Sequence, residues 1–280
     1  MKLNENAKIF VPDGRNVEDC IGSTTILAVS AHQDDIEIMS YSGIAECYGK
    51  KDKWFCGVAV TDGAGSPRAG LYANHTNEEM MQIREEEQNA AALVGGYLAQ
   101  FQLKYPSSAV KDGPGVVDDL AEIILAAKPD VIMTHNLADM HDTHVSVALR
   151  VISALRKIRS EFSPAKLYGM EVWRSLDWCA DRQMFDTSIH PNLAAVTLGV
   201  YDLQICGGKR YDLATMGRRA ANATFYESHG VDQTESCAFG IDMTSLIAGA
   251  DITDFILQKI DAFKSDVAGR LEKFGGKYEL

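Results

Sequence analysis

Two short polar clusters in this chain hold side chains able to bind a cation and move a proton. The first, Ala31-His32-Gln33-Asp34-Asp35, directly follows the apolar run Thr25-Ile26-Leu27-Ala28-Val29. The second comprises Thr134-His135-Asn136, Asp139 and His141-Asp142-Thr143-His144, directly after Val131-Ile132-Met133. Imidazole nitrogen and carboxylate oxygen are standard zinc donors, and three protein ligands leave a fourth position open for water. His32, Asp35 and His144 make such a set, because i, i+3 spacing at a strand-to-helix turn aims His32 and Asp35 at one point. Asp34, between them, cannot easily share that geometry but can stand beside the bound water as general base. Each cluster alone has a plainer reading: a histidine after a strand often caps or packs, and Asp34-Asp35 can simply open a helix. Two clusters with complementary donors at two strand ends point to one site.

The elements that must carry these residues are legible as alternating strands and helices. Strands are expected over Thr25–Ser30, Trp54–Val60, Tyr97–Leu103, Asp130–Met133 and Lys166–Trp173, with a further one over Ala194–Val200 unless that segment is helical. Helices are expected over Ile36–Tyr48, over Asn77–Gly95 with Asn77 as its N-cap, and over Val116–Ala127. After His141, the spacing of Val145, Leu149, Ile152, Leu155 and Ile158 predicts an amphipathic helix. Arg210–Ser228 and Asp251–Phe274 also read as helical, whereas residues 1–22 read as polar and irregular. This alternation predicts an α/β fold, a mostly parallel sheet with helices on both faces. One domain is expected over 1–280, with its core at about 24–175 and a C-terminal elaboration at about 176–280. Ligands of such sheets bind at the carboxyl ends of strands, where both clusters fall.

Four ordered elements carry a resemblance: Ala-His-x-Asp-Asp after the first strand, Thr61-Asp62-Gly63-Ala64-Gly65 after the second, Arg84-Glu85-Glu86-Glu87 in the next helix, and His141-x-x-His144. Together, over roughly residues 24–160, they resemble the LmbE/PIG-L family of zinc-dependent de-N-acetylases, which have a Rossmann-like fold. The resemblance implies zinc on His32, Asp35 and His144, Asp34 as general base, and His141 as the group that stabilises the oxyanion. It also implies a buried Arg84–Glu87 pair, which spacing alone reads equally well as a surface ion pair. Two departures stand out. Gln33 replaces the family's usual proline, which loosens φ and adds an amide. His-Asp-Thr-His replaces His-Pro-Asp-His, so Asp142 is expected to take over the role of the displaced aspartate.

Other residues remain candidates for substrate contact. Asp62 and Arg68 lie on the glycine-containing loop after the second strand, and Asp139 is expected to hydrogen-bond His141. His135 and Asn136 can orient a ligand or merely end a strand. Trp173 and Trp178 can stack on a sugar, though such aromatics are more often core. Arg218, Arg219, Asn222, Glu227, His229 and Asp232 read as a solvated helix face, with a lid reaching the site as the alternative. The glycine loop matches neither G-x-G-x-x-G nor a Walker motif, so a nucleotide cradle is not expected.

The 46% hydrophobic and 24% charged composition is that of a globular protein, and the net charge of −12 argues against nucleic acid or anionic membrane as partner. The six cysteines are scattered without C-x-x-C. With no apolar signal core at the start, they read as reduced thiols of a cytoplasmic protein. The expected activity is a zinc hydrolase, with iron(II) accepted by the same donors, removing acetyl from an N-acetylated amino sugar or glycoconjugate. Cleavage of another amide, such as a thiol–sugar conjugate, and non-catalytic sugar binding are the alternatives. A homo-oligomer is expected on general grounds.

Overall fold

Residues 26–30 alternate across a sheet that is buried on both sides: Leu27 and Val29 pack into one apolar cluster, Ile26 and Ala28 into another. A strand covered on both faces reads as a continuous apolar run, as this one does. The computed structural model of the protein describes residues 1–113 and 115–275. Its strands are β1 (Lys8–Phe10), β2 (Ile26–Ser30), β3 (Phe55–Thr61), β4 (Ala99–Tyr105), β5 (Val131–His135), β6 (Lys166–Met170), β7 (Gln183–Asp186) and β8 (Cys237–Asp242). They form one sheet in the order β1-β4-β3-β2-β5-β6-β8-β7. The central five strands are parallel, and β1, β8 and β7 join antiparallel at the margins. The chain winds outward from β2 to β4, then returns to place β5 on the other side of β2. That reversal opens a crevice beyond the carboxyl ends of β2 and β5, where the two polar clusters lie.

Helices cover both faces. Gly115–Ala127 and Asp142–Ile158 bury apolar sides in the cluster with Leu27 and Val29. Tyr41–Cys47, Asn77–Gly95 and Pro191–Gly199 contribute Ile44, Ala92 and Leu193 to the cluster with Ile26 and Ala28.

Several expectations need correction. The helix expected over Ile36–Tyr48 is two, Asp35–Met39 and Tyr41–Cys47, broken at Ser40 (φ −116, ψ 18). Thr76 rather than Asn77 caps the next helix: its hydroxyl accepts from the Glu79 N–H at 3.2 Å, and its own N–H donates to Glu79 Oε2 at 2.7 Å. The segment read as an Ala194–Val200 strand lies in a helix begun by Pro191, whose ring presets the first-turn φ. β1, β7 and β8 were not expected; the first two are short and partly exposed, and their pairing comes from distant residues. Residues 276–280 of the expected elaboration lie outside the described residues. No described helix is long and apolar enough to cross a membrane.

Candidate active site

The turn after β2 is strained, and its strain is held by specific partners. Asp34 has φ 83, a left-handed conformation that a non-glycine residue adopts at a cost of about 1–3 kcal/mol. Its N–H donates to Gln88 Oε1 at 3.3 Å, and its carboxylate pairs with Arg84 Nη2 at 2.9 Å. Arg84 is wholly buried; it also donates to the Gln33 carbonyl and, through Nη1, to Glu87 Oε2 at 3.0 Å. The i, i+3 pair is therefore an internal brace for the turn. Gln33 turns its amide inward to donate to the Thr61 carbonyl at 3.0 Å. Gly63 (φ +80) packs against the same brace, where a Cβ would come within 2.9 Å of Arg84 Cβ and of Gln33 Oε1. Only glycine fits there.

This turn brings the first cluster against the second. His32 Nδ1 lies 3.1 Å from Asp35 Oδ2 and 3.2 Å from His144 Nε2, and the third edge, His144 Nε2 to Asp35 Oδ2, is 3.3 Å. Donors held about 2.0–2.1 Å from one tetrahedral ion stand about 3.3 Å apart, so the residues present fit a divalent metal. Two imidazole nitrogens facing each other across a carboxylate have few other ways to satisfy their lone pairs. Two overlapping groups, His32–His141–His144 and Asp35–His135–His144, also meet the spacing of a metal site. His135 is unsuited as a ligand, because its Nε2 accepts the Ala31 N–H at 2.8 Å. It stacks on His144 at 3.9 Å and orients that ring instead.

The charges follow from this crowding. Burial pushes the Asp35 carboxyl up, but His144, His32 and His135 outweigh it and hold it well below the carboxylate range. Burial pushes the His144 imidazole down, yet Asp35 and Asp139 win and raise it to about 9. Protons and a cation therefore compete for the same donors. Asp34 goes the other way: burial, with help from the Asp35 charge, outweighs Arg84 and raises it to about 6. His141 is lowered by burial and by the neighbouring imidazoles of His144 and His32. Its ring lies 5.0 Å from His32 and 4.5 Å from His144, and it lines the same cavity as Asp34.

Some expected residues do other work. Asp139 accepts the backbone N–H of His141 at 3.0 Å and of Trp173 at 3.1 Å, and its carboxylate faces His144 Nδ1 at 3.6 Å. It supports the His144 ring rather than the His141 ring. Asp142 is exposed and turned towards Lys111 at 3.8 Å, so it does not replace the displaced aspartate. Asp62 closes a local turn through the Ala64 N–H, and Arg68 ties its own loop to the His75 and Ala64 carbonyls and to Asn77. Neither lines the cavity. Asn136 likewise shapes the loop, through Met170 and Ala138.

The cavity has a volume of about 650 Å³, and its outer wall comes from the C-terminal third. Trp173 stands 6.0 Å from His141, Tyr211 lies 6.3 Å beyond it, and Gln204, Thr215 and Arg218 complete that side. Arg219 and Asn222, read as solvated face, are buried, whereas Glu227, His229 and Asp232 are exposed. Beneath the turn lies a polar knot that sequence reasoning missed. Glu37, fully buried, accepts from Tyr97 and Tyr201 hydroxyls and from Gln88, and burial raises it to about 7. Its one signal is an acid between Ile36 and Ile38 on a buried helix.

Residues 27–155 match the PIG-L family, GlcNAc-PI de-N-acetylase. The chain carries a PIG-L-family domain. Solved structures share its fold. An N,N'-diacetylchitobiose deacetylase from Pyrococcus horikoshii is 16% identical, with 82% of this chain and 88% of that one covered and a TM-score of 0.62. A conserved protein of Thermus thermophilus is 16% identical over 78% and 94% of the two chains, at a TM-score of 0.61. GalB, the 4-carboxy-2-hydroxymuconate hydratase of Pseudomonas putida, is 17% identical over 79% and 95%, also at 0.61. At these identities the likeness is one of fold. The PIG-L-family domain ends near the close of the helix Asp142–Ile158, so the cavity's outer wall lies outside it.

Proposed function

We propose that this chain is a metal-dependent hydrolase that removes the acetyl group from an N-acetylated amino sugar or glycoconjugate. The observation that carries the proposal is the His32–Asp35–His144 triangle flanked by Asp34 and His141 at one cavity. The PIG-L-family domain and the deacetylase of the same fold support it. Because a hydratase shares that fold too, fold alone does not choose the reaction.

His32, Asp35 and His144 would hold the ion, and their nitrogen and oxygen donors suit zinc and iron(II) alike. A divalent ion there supplies Lewis acidity and lowers the pKa of water towards neutrality. Asp34, raised to about 6, is deprotonated at neutral pH yet basic enough to take a proton from the attacking water. Arg84 keeps its carboxylate in place through that exchange. His141, with its pKa lowered, presents a neutral N–H to the oxygen on which negative charge develops. Proton return to the leaving amine falls to Asp34 or His141. Trp173 offers its face to the sugar ring, and its ring is close enough to His141 to share one substrate.

The test is acetate release from N-acetylglucosamine glycosides, read beside elemental analysis. Asp34→Asn should keep the metal and lose at least about a hundredfold in kcat, the share of a general base. His144→Ala should lose the metal itself. Normal turnover by Asp34→Asn would remove the base assignment, and amine release from a panel of other acylated amines, with neither amine nor acetate from the N-acetyl sugars, would shift the reading to another amide. No release of acetate or amine, with hydration of an added unsaturated carboxylic acid instead, would favour water addition to a carbon–carbon double bond.

A further inference from the structure

The helix Ile252–Gly275 leaves the body of the protein after its first two turns. Ile252, Phe255 and Ile256 pack against the core, and Lys259 pairs with Asp181 at 2.5 Å. From Ile260 to Lys273 every residue is exposed, with Phe263 standing edge-on to Trp178 at 6.2 Å between ring centres. A bare stretch of this length is marginal as a helix in water, and Gly269 weakens it further, so its stability calls for a cover. Its sequence has the matching pattern. Ile256, Ile260, Phe263 and Val267 recur at intervals of four, three and four, with Leu257 and Leu271 beside them. Every other residue from 261 to 273 is charged, serine, alanine or glycine. Alternating four- and three-residue spacing is the repeat of a helix that packs along another helix.

Charge and area select what covers it. Asp254, Asp261, Asp266 and Glu272 are balanced by Lys259, Lys264, Arg270 and Lys273, so the helix is neutral within a chain of net charge −12. A helix that lies on an anionic membrane has a basic polar face, which this one lacks. Two copies of a neutral helix meet without the repulsion that the rest of the chain would impose. Arg270, at the next position of the repeat, is neutralised by Asp266 at 2.9 Å. Leu257, Ile260, Phe263, Val267 and Leu271 are 40–67% exposed. Such side chains offer roughly 80 Å² each, and with the stems of Lys264 and Arg270 two copies would bury about 1,000 Å² in all, the lower limit for a specific interface.

We propose that the helix Ile252–Gly275 pairs with the same helix of a second copy of this chain, joining two subunits about a twofold axis. Ile260, Phe263 and Val267 form the seam, and Leu257 and Leu271 close one side of it. An interface at the lower size limit holds in the micromolar range. The pairing is independent of the de-N-acetylase reading and of any metal.

Sedimentation equilibrium of the full chain, from about 1 to about 200 μM, tests this. The mass should climb from that of one chain towards that of two. Val267→Asp combined with Leu271→Asp should raise the dimer Kd at least about a hundredfold, because four apolar side chains leave the seam at once. Ala262→Asp combined with Ser265→Asp puts the same charge on the opposite face of the helix and should leave Kd within about threefold. All four positions are exposed, so near-UV circular dichroism should be unchanged in both variants, and the second reports any loss caused by charge alone. A monomer at every concentration overturns the proposal, as does a dimer that both variants leave intact or both dissolve. Should that monomer float with vesicles of equimolar phosphatidylcholine and phosphatidylglycerol, the apolar face belongs to a membrane instead.

Discussion

Asp139 shows how a single side chain would set His144, a donor in the proposed metal site, without itself belonging to the donor triangle. One oxygen accepts the His141 N–H and the other the Trp173 N–H, which holds the carboxylate opposite Nδ1 of His144. A carboxylate there favours the tautomer whose Nε2 is free to bind a cation. Asp139→Asn keeps much of the shape and loses the charge. Metal affinity should fall about 10–100-fold, measured by competition with a chelator of known strength. Unchanged affinity would mean that His135, stacked on the same ring, orients His144 by itself.

At the scale of the element, the helix Asn77–Gly95 does two jobs. Its start is an ordinary capping box, and Thr76→Ala should cost about 1 kcal/mol of stability in urea denaturation, with catalysis unaffected. Its middle carries Arg84, wedged between Asp34 and Glu87, while Glu87 in turn accepts the Leu203 N–H at 2.7 Å. One guanidinium thus links the strained turn to the segment that precedes Lys209. Arg84→Leu would strand two buried carboxylates and should cost about 3–5 kcal/mol in the same assay. A loss below about 1 kcal/mol would show that the turn holds its left-handed Asp34 without the brace.

For the molecule as a whole, the site exists because the strand order reverses between β2 and β5. His32 and Asp35 follow one strand and His144 the other, so folding brings the donors together and a bound ion should favour the folded state. At a free metal concentration a hundred times Kd the gain is about 2.7 kcal/mol, or about 5–10 °C in Tm for a chain of this size. Chelation should remove that increment, and His144→Ala should show no response to added metal. The cavity has a second author in the C-terminal third, whose residues 204–219 close over the crevice.

How much of this was readable beforehand depends on whether the information is local. Apolar runs ending in His32-Gln33-Asp34-Asp35 and in His135-Asn136 announce strand ends, because burial on both faces demands unbroken hydrophobicity and the crevice demands polarity. Helix signals were nearly as clear, although Thr76 and Pro191 show that a boundary turns on one side-chain hydrogen bond or one ring. The short strands β1 and β7 were invisible, since marginal strands take their identity from the partner they pair with, and β8, though six residues long and buried, was missed with them. So were the burial of Glu37 and Arg219 and the turning away of Asp62, Arg68 and Asp142. By itself the sequence determined the donor types, their spacing and the alternation of elements, all of which are properties of neighbours along the chain. Only the tertiary structure decided which donors meet and which side chains face the cleft, because those depend on where distant segments cross.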